Sequence, residues 1–134
     1  MIFFGWKGAG GDGHNYWFGG RDAAAASDIW TVKRDNGQDY LHPTQKPTAL
    51  AQRAIKNSAP PKGIVYEPFS GSGSTLIACE IEGRRCRAME LDPGYVDVAV
   101  RRWEDFTGRV ATLEATGQTF REVSDERRLA AAAA

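Results

Sequence analysis

Apolar residues recur along the chain in a rhythm that changes near its middle. After Pro47, the residues Leu50, Ala51, Ala54 and Ile55 stand at the spacing of one helical face. Pro47 suits a first helical turn, and Pro60-Pro61 suits a stop. From Lys62 the rhythm becomes that of an α/β unit. Ile64, Val65 and Tyr66 form a short apolar run that meets EPFSGSGST and then the helix-like LIACEIE. Gly83 is placed as a C-cap, Arg87 to Glu90 reads as a second strand, and Pro93 opens a further helix. That helix carries Tyr95, Val96, Ala99, Val100 and Trp103 and closes at Thr107-Gly108. Strand, helix, strand, helix predicts an α/β fold with a mostly parallel sheet flanked by helices.

The flanks follow a different pattern. Residues 1–41 are rich in Gly, Asp, Asn and aromatics, with turns around short strands expected at Asn15 to Phe18 and Asp28 to Lys33. Trp6, Tyr16, Trp17 and Phe18 read either as core or as a stacking surface, and His14 as loop surface. Residues 42–110 form the α/β region. Residues 111–134 are a polar tail with a weak edge-strand or amphipathic-helix signal, and Ala130 to Ala134 read as a scar or a helix tail.

Composition narrows the function classes. The 134 residues suit one domain, 42% hydrophobic and 25% charged, and no apolar run approaches the roughly 18 residues of a membrane span. MIFFGWKGAGG is too short and lacks the basic flank of an export signal, so a cytoplasmic protein is expected. Seventeen basic residues balance seventeen acidic ones, which excludes an overall positive field. A nucleic acid would have to be met locally, at clusters such as Arg84, Arg85 and Arg87 or Arg101 and Arg102, which are otherwise ordinary solvated charge. Cys79 and Cys86 lack CxxC spacing and histidine partners, so reduced, buried thiols are expected and no metal site.

The sharpest local chemistry lies in Glu67-Pro68-Phe69-Ser70-Gly71-Ser72-Gly73-Ser74-Thr75, between a strand and a helix, where a parallel sheet places its ligand crevice. Gly71 and Gly73 would let a ligand approach closely, and the helix start supplies free backbone N–H groups. A dinucleotide fingerprint wants a third glycine where Leu76 stands, and a P-loop wants Gly-Lys-Ser/Thr. Glu67 at the strand end would repel a pyrophosphate but favour an ammonium group. Glu90, at the end of the next strand, can accept hydrogen bonds from both ribose hydroxyls. The combination points to S-adenosylmethionine. Plain structural readings stand beside it: a simple connection for the turn, an exposed acid for Glu90, a helix-dipole partner for Glu67.

HPTQKP from His42 to Pro47, EPFSGSGST, and MELDPGYVDVAVRRWEDFTG from Met89 to Gly108 together resemble the amino-group DNA methyltransferases, which act on adenine N6 or cytosine N4. The resemblance covers about residues 42–109 and looks closest to phage and prophage members, some fused to a ParB-like domain. It implies a partial Rossmann-like S-adenosylmethionine-dependent methyltransferase fold, with adenine the commoner target and DNA the partner. It also implies that His42, Pro43, Thr44 and Lys46 wall the methionine end of the cofactor site, Thr44 and Lys46 serving a carboxylate. Glu67, Pro68, Phe69, Gly71, Ser72, Gly73, Ser74, Thr75, Glu90 and Leu91 would complete that site. Taken by itself His42 reads equally as a packed or capping histidine.

The resemblance has a gap. The family's catalytic tetrapeptide, Asp/Asn/Ser-Pro-Pro-Tyr/Phe/Trp, occurs nowhere in the chain, and Asp92-Pro93-Gly94-Tyr95 follows the ribose-binding acid and starts a helix instead. In the family order that places the cofactor motif last, the tetrapeptide lies upstream of a stretch like residues 1–40. An amino-terminally truncated chain with no catalytic residue of its own is therefore expected, completed by a missing segment or a partner chain; besides a complementing chain, a homodimer is the other expected assembly. The alternative is a non-catalytic, cofactor-binding remnant or a partner subunit of a split methyltransferase. A dinucleotide-dependent oxidoreductase fails on Leu76 and on HPTQKP.

Overall fold

Proline and glycine punctuation sets the lengths of the elements. In the computed structural model, which describes residues 30–32 and 46–133, helix α1 runs over Thr48–Ser58. Pro47 stands just outside it at the N-cap position, not in the first turn, and its carbonyl accepts from the Leu50 amide at 3.0 Å. The helix ends before Pro60-Pro61, with Ala59 already extended, as the steric demand of a following proline requires. Strand β1 (Ile64–Glu67), helix α2 (Ser74–Glu82), strand β2 (Arg85–Ala88) and helix α3 (Pro93–Thr107) follow in the expected order. Asp92 caps α3, accepting from the Gly94 amide at 2.7 Å, and Pro93 occupies its first turn.

β1 and β2 pair in parallel, Ile64 opposite Arg85 through Glu67 opposite Ala88. The second strand thus lies two residues earlier than the expected Arg87 to Glu90. Pairing with β1 and the short Gly83-Arg84 connection fix that register, which the alternation of Arg85, Cys86, Arg87 and Ala88 does not announce. One consequence is that Glu90 stands outside the ladder and can fold over the preceding turn.

The core lies between α1, α2 and one sheet face. Ile55, Ala78 and Cys79 are buried, with Ala51, Ala59, Val65 and Cys86 packed around them. Burying a side chain the size of Ile55 is worth about 1.5–3 kcal/mol. At the far end of α2, Glu82 accepts from Gln52 at 2.9 Å and pairs with Lys56 at 3.2 Å, both on α1. The opposite sheet face presents Ile64, Tyr66, Arg85 and Arg87, all exposed. Cys79 and Cys86 are free, Cys79 buried and Cys86 half-buried. A hydrogen bond with Cys86, together with burial, pushes the Cys79 thiol up, so it stays protonated.

The tail resolves its two open readings in favour of a helix. Thr112 and Thr119 form one antiparallel bridge, and helix α4 covers Phe120–Ala132. Its start is a capping box: the Glu122 amide donates to Thr119 Oγ1, and the Thr119 amide donates to the Glu122 carboxylate. Of the expected strand Asp28 to Lys33, only Trp30 to Val32 are described; they form no regular element, and the Arg53 guanidinium lies 4.9 Å from the Trp30 ring centre. The strand expected at Asn15 to Phe18, the residues His14, Trp6, Tyr16 and Trp17, and Ala134 lie outside the described residues. Among the described residues no helix is long and apolar enough to cross a membrane, and no group of three or more His, Cys, Asp or Glu is placed to hold a metal.

Candidate functional site

The turn from β1 to α2 sits at the carboxyl ends of the two parallel strands, where backbone groups leave the ladder and side chains take over. The Met89 amide donates to Glu67 O at 2.8 Å, and the Ser70 amide donates to Met89 O at 3.0 Å, so the turn is stitched to the segment leaving β2. Glu90 then reaches back. Its Oε2 accepts from the Gly71 amide at 2.7 Å, and its Oε1 accepts from the amides of Leu91 at 2.9 Å and Asp92 at 3.0 Å. The Asp92 amide first, then those of Gly71 and Leu91, stabilise the charged carboxylate and hold it below its ordinary range. Glu67 is committed similarly: Oε1 accepts from the Phe69 amide at 3.0 Å and Oε2 from Thr75 Oγ1 at 2.9 Å.

Glu67 closes β1 and Glu90 stands two residues beyond β2, and both tie the loop together. A carboxylate offers about four lone-pair positions, so two bonds to Glu67 and three to Glu90 leave each with capacity for a ligand donor. They are oriented in advance.

The two glycines do different things. Gly71 has φ +52 and nothing within 4 Å of where a Cβ would stand, leaving its side of the turn open. Gly73 has φ +81, and a Cβ there would meet the Ala99 Cβ of α3 at 3.0 Å and its Cα at 3.3 Å. Gly73 thus has a packing reason of its own, since its missing side chain makes room for α3. Gly73 also serves as N-cap of α2, accepting from the Ile77 amide at 3.0 Å and leaving the amides of Ser74, Thr75 and Leu76 without an intrahelical acceptor. Such a helix start attracts a negatively charged group.

Ser72 and Ser74 are buried in the turn. The Ser74 hydroxyl donates to Lys46 O at 2.9 Å, bringing the HPTQKP segment, through its Lys46-Pro47 end, against the start of α2. His42, Pro43 and Thr44 lie outside the described residues. Flanking the turn, Pro68 is exposed, and Phe69 and Leu91 are 86% and 98% exposed, large apolar side chains with no cover of their own. Sequence reasoning missed Arg102, which reads as surface charge in a basic cluster. It donates to Ser72 O, Ser74 Oγ and Thr48 Oγ1, each at 3.2 Å. Its partners are distant in sequence, so no local spacing could have signalled the contact. Together the site offers amide donors for an anionic group, acceptors for hydroxyl or ammonium hydrogens, and apolar surface for a flat ring.

Comparison with known proteins gives this geometry a family context. The family model described as DNA methylase matches residues 16–101. The chain is 34% identical over 85 residues to the type II methyltransferase M.ScaI of Streptomyces caespitosus, covering 58% of this chain and 28% of that protein. It is 32% identical over 75 residues to the type II methyltransferase M.BglII of Bacillus subtilis, covering 54% of this chain and 21% of that one. Among solved structures, the crystal structure of the M1.HpyAVI–SAM complex is similar at 32% identity and TM-score 0.49, over 55% of this chain and 36% of that chain. The chain spans about a quarter of the length of the curated relatives it matches.

Proposed function

The chain belongs to the DNA methylase family, and we propose that it supplies the methyl-donor half of a methyltransferase acting on an exocyclic amino group in DNA, with S-adenosylmethionine as cofactor. The observation that carries the reading is the pair of acids around an open glycine turn, with Glu90 held on the Gly71 amide at 2.7 Å. Glu90 would accept from a ribose hydroxyl at its remaining lone pair, Glu67 would face the ammonium group, and the amides of Ser74, Thr75 and Leu76 with Lys46 would serve the carboxylate. The exposed Phe69 and Leu91 would pack on the adenine, a burial that benefits both sides.

When bound, S-adenosylmethionine supplies a methyl group on a sulfonium centre, and the transfer then needs an in-line nucleophile more than any covalent help from protein. Residues of this chain would contribute orientation and electrostatics. Holding a flipped target base requires an aromatic platform and polar groups at its amino hydrogens, the role of the family tetrapeptide. That tetrapeptide does not occur in the 134 residues. Transfer would therefore draw those groups from a longer chain or a partner subunit, in a cytoplasm where DNA is present. Adenine N6 is the preferred target in this reading, and cytosine N4 the other. The missing tetrapeptide also favours a second reading, a cofactor-binding remnant without turnover.

The test is methyl transfer from methyl-labelled S-adenosylmethionine to unmethylated DNA, with this chain alone and with a tetrapeptide-bearing chain added. Label in DNA only in the mixture, recovered as N6-methyladenine, is expected. Label transferred by this chain alone would contradict the division of labour, and a mixture that binds cofactor but never transfers would favour the remnant.

A further inference from the structure

We infer that Arg102 is a positioning residue that locks the start of α2 to the Lys46 segment, so that both meet the methionyl end of the cofactor in one fixed arrangement. This rests on the cofactor reading above. The guanidinium projects from α3 and spans three segments: Ser72 O in the turn, Ser74 Oγ at the first residue of α2, and Thr48 Oγ1 at the start of α1. Ser74 passes the connection on, since its hydroxyl accepts from Arg102 and donates to Lys46 O at 2.9 Å. A planar guanidinium has five N–H donors in a rigid fork, which suits several acceptors at once, whereas a lysine ammonium is a point charge on a flexible stem.

Electrostatics argue that the contact is more than packing. A cation beside the start of a helix opposes the helix dipole, an arrangement that ordinarily costs stability. Here the charge lies on the Ser74 hydroxyl, at the first residue of α2, so an anion bound at that helix start would offset it. Arg102 need not touch the ligand to act. It fixes the Ser74 hydroxyl and the Lys46 backbone, and its field favours a carboxylate over a neutral group at that end.

The experiment compares two ligands that share the nucleoside and differ at the methionyl end. Binding of S-adenosylmethionine and of 5′-methylthioadenosine, which lacks the amino-acid portion, is measured by calorimetry on the full chain and on Arg102→Met, with thermal melts alongside. The expected result is a loss of about tenfold for S-adenosylmethionine with no change for methylthioadenosine, the size of one charge-assisted hydrogen-bond network disturbed. An equal loss for both ligands, or none for either, overturns the inference. Should Arg102→Met fail to fold, Arg102→Lys reads the same ratio, with a smaller loss confined to S-adenosylmethionine expected and a loss shared by both ligands contradictory. Parent chain that is folded but binds neither compound overturns the cofactor reading itself, and the Arg102 inference with it.

Discussion

The middle of α2 and its amino end are built from opposite materials. In its middle, Ala78 and Cys79 pack with Ile55 into an apolar core. At its amino end, around Gly71, Gly73 and Ser74, order comes from carboxylates, amides and a guanidinium, and large apolar side chains such as Phe69 and Leu91 remain uncovered. A protein interior is stabilised chiefly by apolar burial, so a polar, oriented and partly open helix start is arranged for something other than stability. Changes in the middle should act on folding, and changes at the amino end on binding.

The largest expected effect tests the packed middle. Ile55→Ala should lower stability by about 2–4 kcal/mol through lost burial and the cavity left behind, seen as a reduced midpoint in denaturant unfolding, while the fraction still folded binds S-adenosylmethionine at parent affinity. Next come the glycines. Gly73→Ala combines a left-handed backbone with a 3.0 Å approach to Ala99 and should cost about 2 kcal/mol of stability. Gly71→Ala has only the backbone penalty, about 1 kcal/mol, but places a methyl group on the open side and should weaken cofactor binding more than Gly73→Ala does. The reverse ranking in binding would remove the distinction between the two positions.

Much of this division was legible in the chain, and the exceptions have physical causes. Pro60-Pro61, Gly83, Pro93 and Gly108 marked element ends because their backbone limits are local properties. Glu67 could be placed at a strand end because the short apolar run Ile64 to Tyr66 stops there. The position of β2 could not be read, since Arg85 to Ala88 becomes a strand only by pairing with Ile64 to Glu67. The spacing of Thr119 and Glu122 is a capping signal for helix α4 that sequence reasoning missed within a polar segment. The role of Gly73 depends on Ala99, and that of Arg102 on Ser72, Ser74 and Thr48, all tertiary neighbours.

Smaller effects sharpen the polar end. The Glu90 carboxylate is held below its ordinary range by backbone donors, so its contribution is fully present above that range and is lost as pH falls through the depressed value. Cofactor affinity should therefore be flat from neutral pH down to about 5 and fall only below the usual carboxylate range near about 4; a titration step near neutrality would point to another group. The smallest effect lies on α4, where Arg121 is 91% exposed and 3.9 Å from Asp125. Arg121→Ala should change stability by less than about 0.5 kcal/mol and leave binding untouched.

The most direct test of the central claim is calorimetric titration of S-adenosylmethionine into the parent chain and into Glu90→Gln, with circular dichroism to verify folding. The account predicts one site on the parent and about tenfold weaker binding in the folded variant, because a neutral amide accepts a ribose hydroxyl poorly and loosens the Gly71 amide. A folded parent that binds no S-adenosylmethionine, or a Glu90→Gln variant that binds it unchanged, would contradict the account.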